Sequence, residues 1–392
     1  MGAIPAMKFR ATPPVRRAVP LRYAIPDTSG TLRHYFDERH VTFFNSGTAA
    51  LCVALERCRE RYGIQNPEVL LPAYGCPDLI AACIRASVYP RLFDVMPSRW
   101  SFSAETLSRH ITTSTIAVIA VNLLGIGDGA ISLSEFCKRK GLALIQDSAQ
   151  ALPRIKAHWP GDYIVLSFGR GKPLNLLGGG ALIDRLNSDT DVSDFVRRVR
   201  LLDCVRSSRI AAVAFNILTK PTPYWLLSAL PGIGLGRVFY EPLKDTGQLS
   251  ESRLKKLDSA FSEYLKQPSY RTSIWRPALQ AWNSLGISPL FGDSTEVPPE
   301  ALRLTLLAPT QAARDQIFNL LYRAHLGATR LYRDALPDIP GMPKLVSDQG
   351  PFPNATDLAH RLLTLPTHDL VTQSTVDSTR QIIDVWYRSV RI

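Results

Sequence analysis

Between Thr42 and Ile183 short apolar runs alternate with stretches of helical spacing, and this alternation constrains the chain more than any other feature. Residues 68–71, 88–95, 116–122, 142–147, 163–168 and 180–183 read as strands. They are rich in Val, Ile and Leu with little polar alternation, the pattern of strands covered on both faces. Residues 48–62, 77–86, 104–111 and 132–140 read as the helices between them, with Ser46, Ser103 and Ser132 as N-caps. The expected fold class is therefore α/β, a mostly parallel central sheet between helices. In such sheets ligands sit beyond the carboxyl ends of the strands. Asn122, Asp147 and Ser167 all fall at such ends.

At 392 residues the chain exceeds what one core usually covers. A division into a large domain over 1–250 and a smaller α+β C-terminal domain over 251–392 is expected. Helices at 251–266, 310–325 and 372–388, weak strands at 302–307 and 361–365, and a Pro-rich loop at 288–299 fill the second part. The segment 204–240 is apolar and basic, carrying Arg206, Arg209, Lys220 and Arg237 but no acid. It reads as a pair of interface helices in a homodimer or as a peripheral contact with a membrane or lipid-like substrate.

The chemistry concentrates in three places. Lys172 lies in Ser167-Phe168-Gly169-Arg170-Gly171-Lys172-Pro173, followed by Gly178 to Gly180. Glycines and the proline disfavour helix there, so the lysine sits on a tight loop after a buried strand and can project into a cleft. Arg170 is a candidate for a neighbouring cation or a phosphate contact. Asp147 ends a strand in Gln146-Asp147-Ser148-Ala149-Gln150. Ser46-Gly47-Thr48 opens a helix whose unpaired N–H groups form a phosphate cradle. A lysine for a Schiff base, an acid for a pyridine nitrogen, and hydroxyls with N–H groups for a phosphate are what pyridoxal phosphate requires.

Over residues 42–183 the chain resembles the DegT/DnrJ/StrS sugar aminotransferases, fold-type I pyridoxal phosphate enzymes. The likeness rests on Ser46-Gly47-Thr48-Ala49-Ala50-Leu51, Glu68-Val69-Leu70-Leu71-Pro72-Ala73-Tyr74, Phe93-Asp94-Val95, residues 112–123, Gln146 to Gln150, and Ser167 through Lys172 to Gly180. Gly327-Ala328-Thr329-Arg330-Leu331-Tyr332 and Leu362-Leu363-Thr364-Leu365-Pro366 resemble the C-terminal signatures. The resemblance implies that Lys172 carries the cofactor and shuttles a proton, that Asp147 pairs with the ring nitrogen, and that Gln150 meets the ring oxygen. Ser46, Gly47, Thr48 and Ser167 would surround the phosphate. Cys76 stands where relatives stack an aromatic ring, and Tyr74 is the candidate to replace it. Gly169 and Gly178 stand where many relatives carry His and Glu. An amino-acid donor, glutamate or glutamine, and a nucleotide-linked keto-sugar acceptor are implied, in a homodimer.

Composition fits an ordinary globular protein, with 45% hydrophobic and 20% charged residues. The uncharged stretch Pro221 to Gly236 is too short and too broken by Pro and Gly to span a bilayer, and no signal-peptide core opens the chain. Six cysteines lack metal-ligand spacing and read as reduced thiols in a cytoplasmic protein. The formal charge of +12 is spread without a dense basic run, so it suits an anionic substrate rather than nucleic acid.

Overall fold

The computed structural model describes residues 9–21, 32–36, 41–97, 100–126, 130–152, 159–186, 205–230, 238–266, 272–291 and 301–390. Its centre is a seven-stranded sheet of β1 (Val41–Phe44), β2 (Glu68–Pro72), β3 (Tyr89–Phe93), β4 (Thr115–Val121), β5 (Ala143–Asp147), β6 (Tyr163–Ser167) and β7 (Gly180–Asp184). The spatial order is β1-β7-β6-β5-β4-β2-β3. β3, β2, β4, β5 and β6 run parallel, while β7 is antiparallel to both β6 and β1. The six strands anticipated from the apolar runs are all present. β1 is additional, a four-residue edge strand held by its register with β7.

Helices flank the sheet: α1 (Leu32–Tyr35), α2 (Gly47–Tyr62), α3 (Asp78–Arg85), α4 (Ala104–His110) and α5 (Ala130–Lys140). α2 is buried almost all round through Ala49, Ala50, Leu51, Val53, Ala54 and Leu55, and packs against β6 and β7. Its small residues let the helix lie close to the strands. Ser46 caps it by accepting from the Ala49 N–H at 3.0 Å, and Gly63 ends it in the left-handed region at φ 60°. Ser103 caps α4 through the Thr106 N–H. Ser132 is not a cap, because α5 begins two residues earlier at Ala130.

Beyond the sheet come α6 (Val205–Leu218), α7 (Pro221–Ala229), α8 (Glu251–Lys266), α9 (Arg276–Asn283), α10 (Gln311–Arg323), α11 (Lys344–Ser347), α12 (Pro353–Arg361) and α13 (Gln373–Val390). β8 (Ser288–Pro289), β9 (Arg303–Leu307) and β10 (Leu362–Pro366) form an antiparallel sheet in the order β10-β9-β8. Cys204, Arg237 and residues 292–299 of the expected loop lie outside the described residues. Ser288 and Pro289 belong to a strand rather than to that loop. A core of Trp275, Trp282, Leu304, Leu306, Ile317, Leu363 and Ile383 unites this second sheet with α9, α10 and α13.

α8 does not join that core. Leu257, Phe261 and Tyr264 pack instead with Phe43, Trp159, Ile164 and Phe168 of the large sheet. We therefore propose that the domains divide after Lys266 rather than after residue 250. The second domain also reaches across: Tyr332, Leu336, Ile339, Leu358 and Leu362 sit in the same apolar cluster as β2, β4 and α2.

Candidate active site

The carboxyl ends of β4, β5 and β6, with the loop after β2, open on one cleft. The chain order reverses in this region, since β2 leads outward to β3 while β4, β5 and β6 proceed the other way. Hydrogen bonds continue past the strand ends. Asn122 N–H donates to the Asp147 carbonyl at 2.9 Å, and Ser148 N–H donates to the Val165 carbonyl at 2.9 Å. Asn122 Nδ2 donates to Ser148 Oγ at 2.7 Å. The loops bearing the polar side chains are thus fixed to each other as well as to the sheet.

Asp147, Gln150, Lys172, Ser167, Gly47, Thr48 and Cys76 all line this cleft. Residues up to 125 positions apart in sequence converge there, with Gly47 at the start of α2 and Lys172 on the loop after β6. Asp147 is 8% exposed, and its Oδ1 accepts the Ala149 N–H at 2.9 Å. Burial raises its pKa above the ordinary carboxylate range, against the opposing pull of the Ala149 N–H and the Lys172 charge. A carboxyl so placed gains most from a cationic group docked against it.

Gln150 is held at both ends of its amide. Its Oε1 accepts the Leu124 N–H at 3.0 Å, and its Nε2 donates to the Tyr332 hydroxyl at 2.8 Å. Tyr332, from the C-terminal part of the chain, forms the wall beside Cys76, and burial raises the pKa of its hydroxyl. Burial likewise pushes the Cys76 thiol up to about 12, so it is a neutral thiol at physiological pH.

Three of the residues expected around the cofactor do not line this cleft. Ser46 spends its side chain on the α2 cap and is absent from the cleft wall. Tyr74 is fully buried behind the wall, donates to the Tyr332 carbonyl at 3.1 Å and meets the Tyr332 ring edge-on, so it offers no face for stacking. Arg170 is exposed and does not line the cleft. Tyr332 and Asp78 are polar wall residues to which the sequence attached no role. Tyr332 stands in a quoted C-terminal signature, but its meeting with Gln150 bridges 182 positions.

The end of the cleft at the start of α2 is shaped by the absence of side chains. A Cβ on Gly47 would lie 2.8 Å from Ser167 Cβ and 3.1 Å from its Oγ. One on Gly180 would lie 2.6 Å from both the Gly47 nitrogen and the Leu166 carbonyl oxygen. The first N–H groups of α2, which have no intrahelical partners, are thereby brought against the Ser167 hydroxyl. Gly47→Ala is expected to weaken pyridoxal phosphate retention about tenfold or more, since overpacking at such a contact costs roughly 1–3 kcal/mol. Equilibrium dialysis against the cofactor, beside a thermal melt, measures it.

Residues 29–210 match the model of the DegT/DnrJ/EryC1/StrS aminotransferase family. Over that stretch, just under half of its length, the chain is similar to the family. GDP-perosamine synthase of Vibrio cholerae is 28% identical over 164 residues, covering 41% of this chain and 43% of that protein. The dTDP-4-dehydro-2,3,6-trideoxy-D-glucose 4-aminotransferase of Saccharopolyspora spinosa is 32% identical over 116 residues, covering 30% and 29%. The matches thus span less than half the length of these curated relatives. Among solved structures, a DegT/DnrJ/EryC1/StrS aminotransferase from Brucella abortus superposes with a TM-score of 0.66 at 18% identity, covering 93% of this chain and 92% of that one. 3-Amino-5-hydroxybenzoic acid synthase superposes at 0.65 and 17% identity, covering 97% and 100%. The fold is that of these solved structures, and the cleft gathers a lysine, a buried acid, an amide and a helix N-terminus that a Cβ would obstruct.

Proposed function

We propose that the protein is a pyridoxal phosphate-dependent aminotransferase that moves an amino group from an amino acid to a keto-sugar, most simply a nucleotide-linked one. The observation that carries the reading is the convergence of Lys172, buried Asp147 and the α2 N-terminus on one cleft. The cofactor, when bound, supplies a carbonyl that condenses with amines and a ring that delocalises the electron pair left by proton removal. Lys172 would hold it through Nζ and would move the proton at the donor Cα. The Asp147 carboxylate would keep the pyridine nitrogen protonated. Gln150, clamped by Leu124 and Tyr332, would meet the ring oxygen. Thr48, Ser167 and the first N–H groups of α2 take the phosphate. The formal charge of +12 favours an anionic acceptor such as a sugar linked to a nucleoside diphosphate.

The names of the relatives support the acceptor class, and two of them name the nucleotide link; others are named as glutamine-dependent inosose aminotransferases. L-Glutamate or L-glutamine added to the cofactor-loaded protein is expected to bleach its visible band. A band that no amino acid alters would overturn the reading. A homodimer is the expected assembly, read by light scattering.

A second reading, a lipid- or carrier-linked ketone as acceptor, is favoured by α6 and α7. Ile210 is 64% and Leu226 60% exposed, with Val213, Ile217 and Leu230 beside them. Residues 204–240 contain basic side chains and no acid. Among the described residues no helix is long and apolar enough to cross a membrane, so the contact would be peripheral. The protein is expected to sediment with vesicles containing anionic phospholipid and to remain in solution with purely zwitterionic ones, and Leu226→Glu should release it. A protein that ignores both vesicle types removes this reading.

A further inference from the structure

The loop that carries Lys172 belongs to no strand or helix, yet a residue that must deliver a proton to one atom needs a fixed position. Bonds within the loop and to β6 hold it in part: Lys172 N–H to the Gly169 carbonyl at 3.2 Å, Leu176 and Gly178 N–H to the Phe168 carbonyl at 2.9 and 3.1 Å, Leu177 N–H to Asn175 Oδ1 at 3.0 Å, and Gly169 N–H to Ser167 Oγ at 3.4 Å. The remaining support comes from far away in sequence. The N-terminal arm, residues 9–21, runs along the outside of the loop. Val15 fills the space beside Gly171, whose φ is +71° and whose absent Cβ would fall 3.1 Å from Val15 Cγ1. Arg17 Nε donates to the Pro173 carbonyl at 3.0 Å, so the arm grips the residue next to the lysine. Asn175, 1% exposed, returns a bond from Nδ2 to the Arg17 carbonyl at 2.8 Å.

The other side of the same arm is fastened to the C-terminal domain. Arg303 on β9 is 2% exposed and donates to the carbonyls of Pro14, Gly327 and Thr364. His368 Nε2 donates to the Pro13 carbonyl at 2.8 Å, while its Nδ1 accepts the Leu370 N–H, which fixes the tautomer. Arg16 pairs with Asp369 at 2.8 Å, and Thr12 N–H donates to the His325 carbonyl at 2.9 Å. Burial keeps the His368 ring neutral, its pKa pushed down to about 4. Within five residues the chain therefore passes from a grip by the C-terminal domain to a grip on the lysine loop.

We propose that the N-terminal arm is a brace that positions Lys172, with Val15 and Arg17 as the positioning residues and Arg303 and His368 as its anchor on the C-terminal domain. The proposal deepens the aminotransferase reading and rests on it for the role of Lys172. It makes the C-terminal domain felt at the lysine through a segment that does not line the cleft.

The test combines hydrogen exchange of residues 168–179, with and without pyridoxal phosphate, and the pH midpoint of the visible band of the loaded protein. Arg17→Met is expected to speed exchange over 169–177 about tenfold, leaving β4, β5 and β6 at wild-type rates, and to move the band's midpoint. Arg17→Lys, which keeps a donor, should restore both readouts. His368→Ala should loosen the same loop although it touches none of it, an effect that merely local packing would not produce. Val15→Ala provides a second, milder variant. Wild-type exchange and an unmoved midpoint in Arg17→Met and Val15→Ala would overturn the brace. Absence of any visible band in the wild type would count against the aminotransferase reading instead, and loop exchange in the cofactor-free protein would still decide the brace.

Discussion

Lys172→Ala is expected to lower transamination by at least about 10⁴-fold, because one side chain supplies both the covalent attachment of the cofactor and the proton transfer at the donor Cα. Little else should change. The loop's own hydrogen bond at this position uses the Lys172 backbone N–H, which alanine retains, and the side chain is only half-buried. The variant should therefore melt close to the wild type while losing the visible band that the loaded wild type shows. Single-turnover bleaching by L-glutamate, read beside a thermal melt, separates these effects. A residual rate within tenfold of the wild type would mean that another group performs the transfer.

Asp147→Asn should move two measurements in opposite directions. Asparagine still accepts the Ala149 N–H through its carbonyl oxygen but carries no charge, so it cannot hold the pyridine nitrogen protonated. Turnover is expected to fall about 10²- to 10⁴-fold, the usual scale for removing a group that acts in proton transfer. The cofactor-free protein should become more stable near neutral pH. Burial raises the folded-state pKa of Asp147 above its unfolded value, so below the unfolded pKa the carboxyl is neutral in both states and carries no penalty. As pH rises through the folded pKa, the wild type must bury the ionised form and loses stability. The asparagine variant lacks that decline. Denaturant titrations of both cofactor-free proteins from pH 4 to 8 provide the comparison, and parallel curves would show that the buried charge carries no such cost.

Much of this site was legible in the chain because backbone position and local sequence coincide at strand ends. An apolar run that stops at an acid, as at Ala143–Asp147, marks both the strand and the point where a side chain leaves the sheet. Gly47, Thr48, Asp147, Gln150, Ser167 and Lys172, each placed by a strand end or a helix start, all reach the cleft. What failed was the direction taken by residues just beyond a strand. Tyr74 and Cys76 lie in one loop after β2, and no local pattern says which of them faces the ligand; Tyr74 turns inward to Tyr332 and Trp100. Ser46 was overdrawn, since a serine three residues before the Ala49 N–H is already occupied as a cap. Tyr332 had no assigned role for the opposite reason, its partner being fixed by tertiary packing. β1 escaped because four residues at a sheet edge carry too little periodicity, and α12 because Pro353 at its first turn resembles loop punctuation when the following helix is short.

The cleft has walls from both halves of the chain: the strand ends supply Asp147 and Gln150, and the C-terminal part supplies Tyr332. Any molecule seated there is held by both, so by mass action its presence must tighten their association. Loading the protein should therefore raise and steepen its thermal transition, while the empty protein should melt more broadly. Fill state and cohesion of the two halves are then one equilibrium seen from two ends, and a melting curve, which senses nothing of the chemistry, can be used to titrate the cofactor.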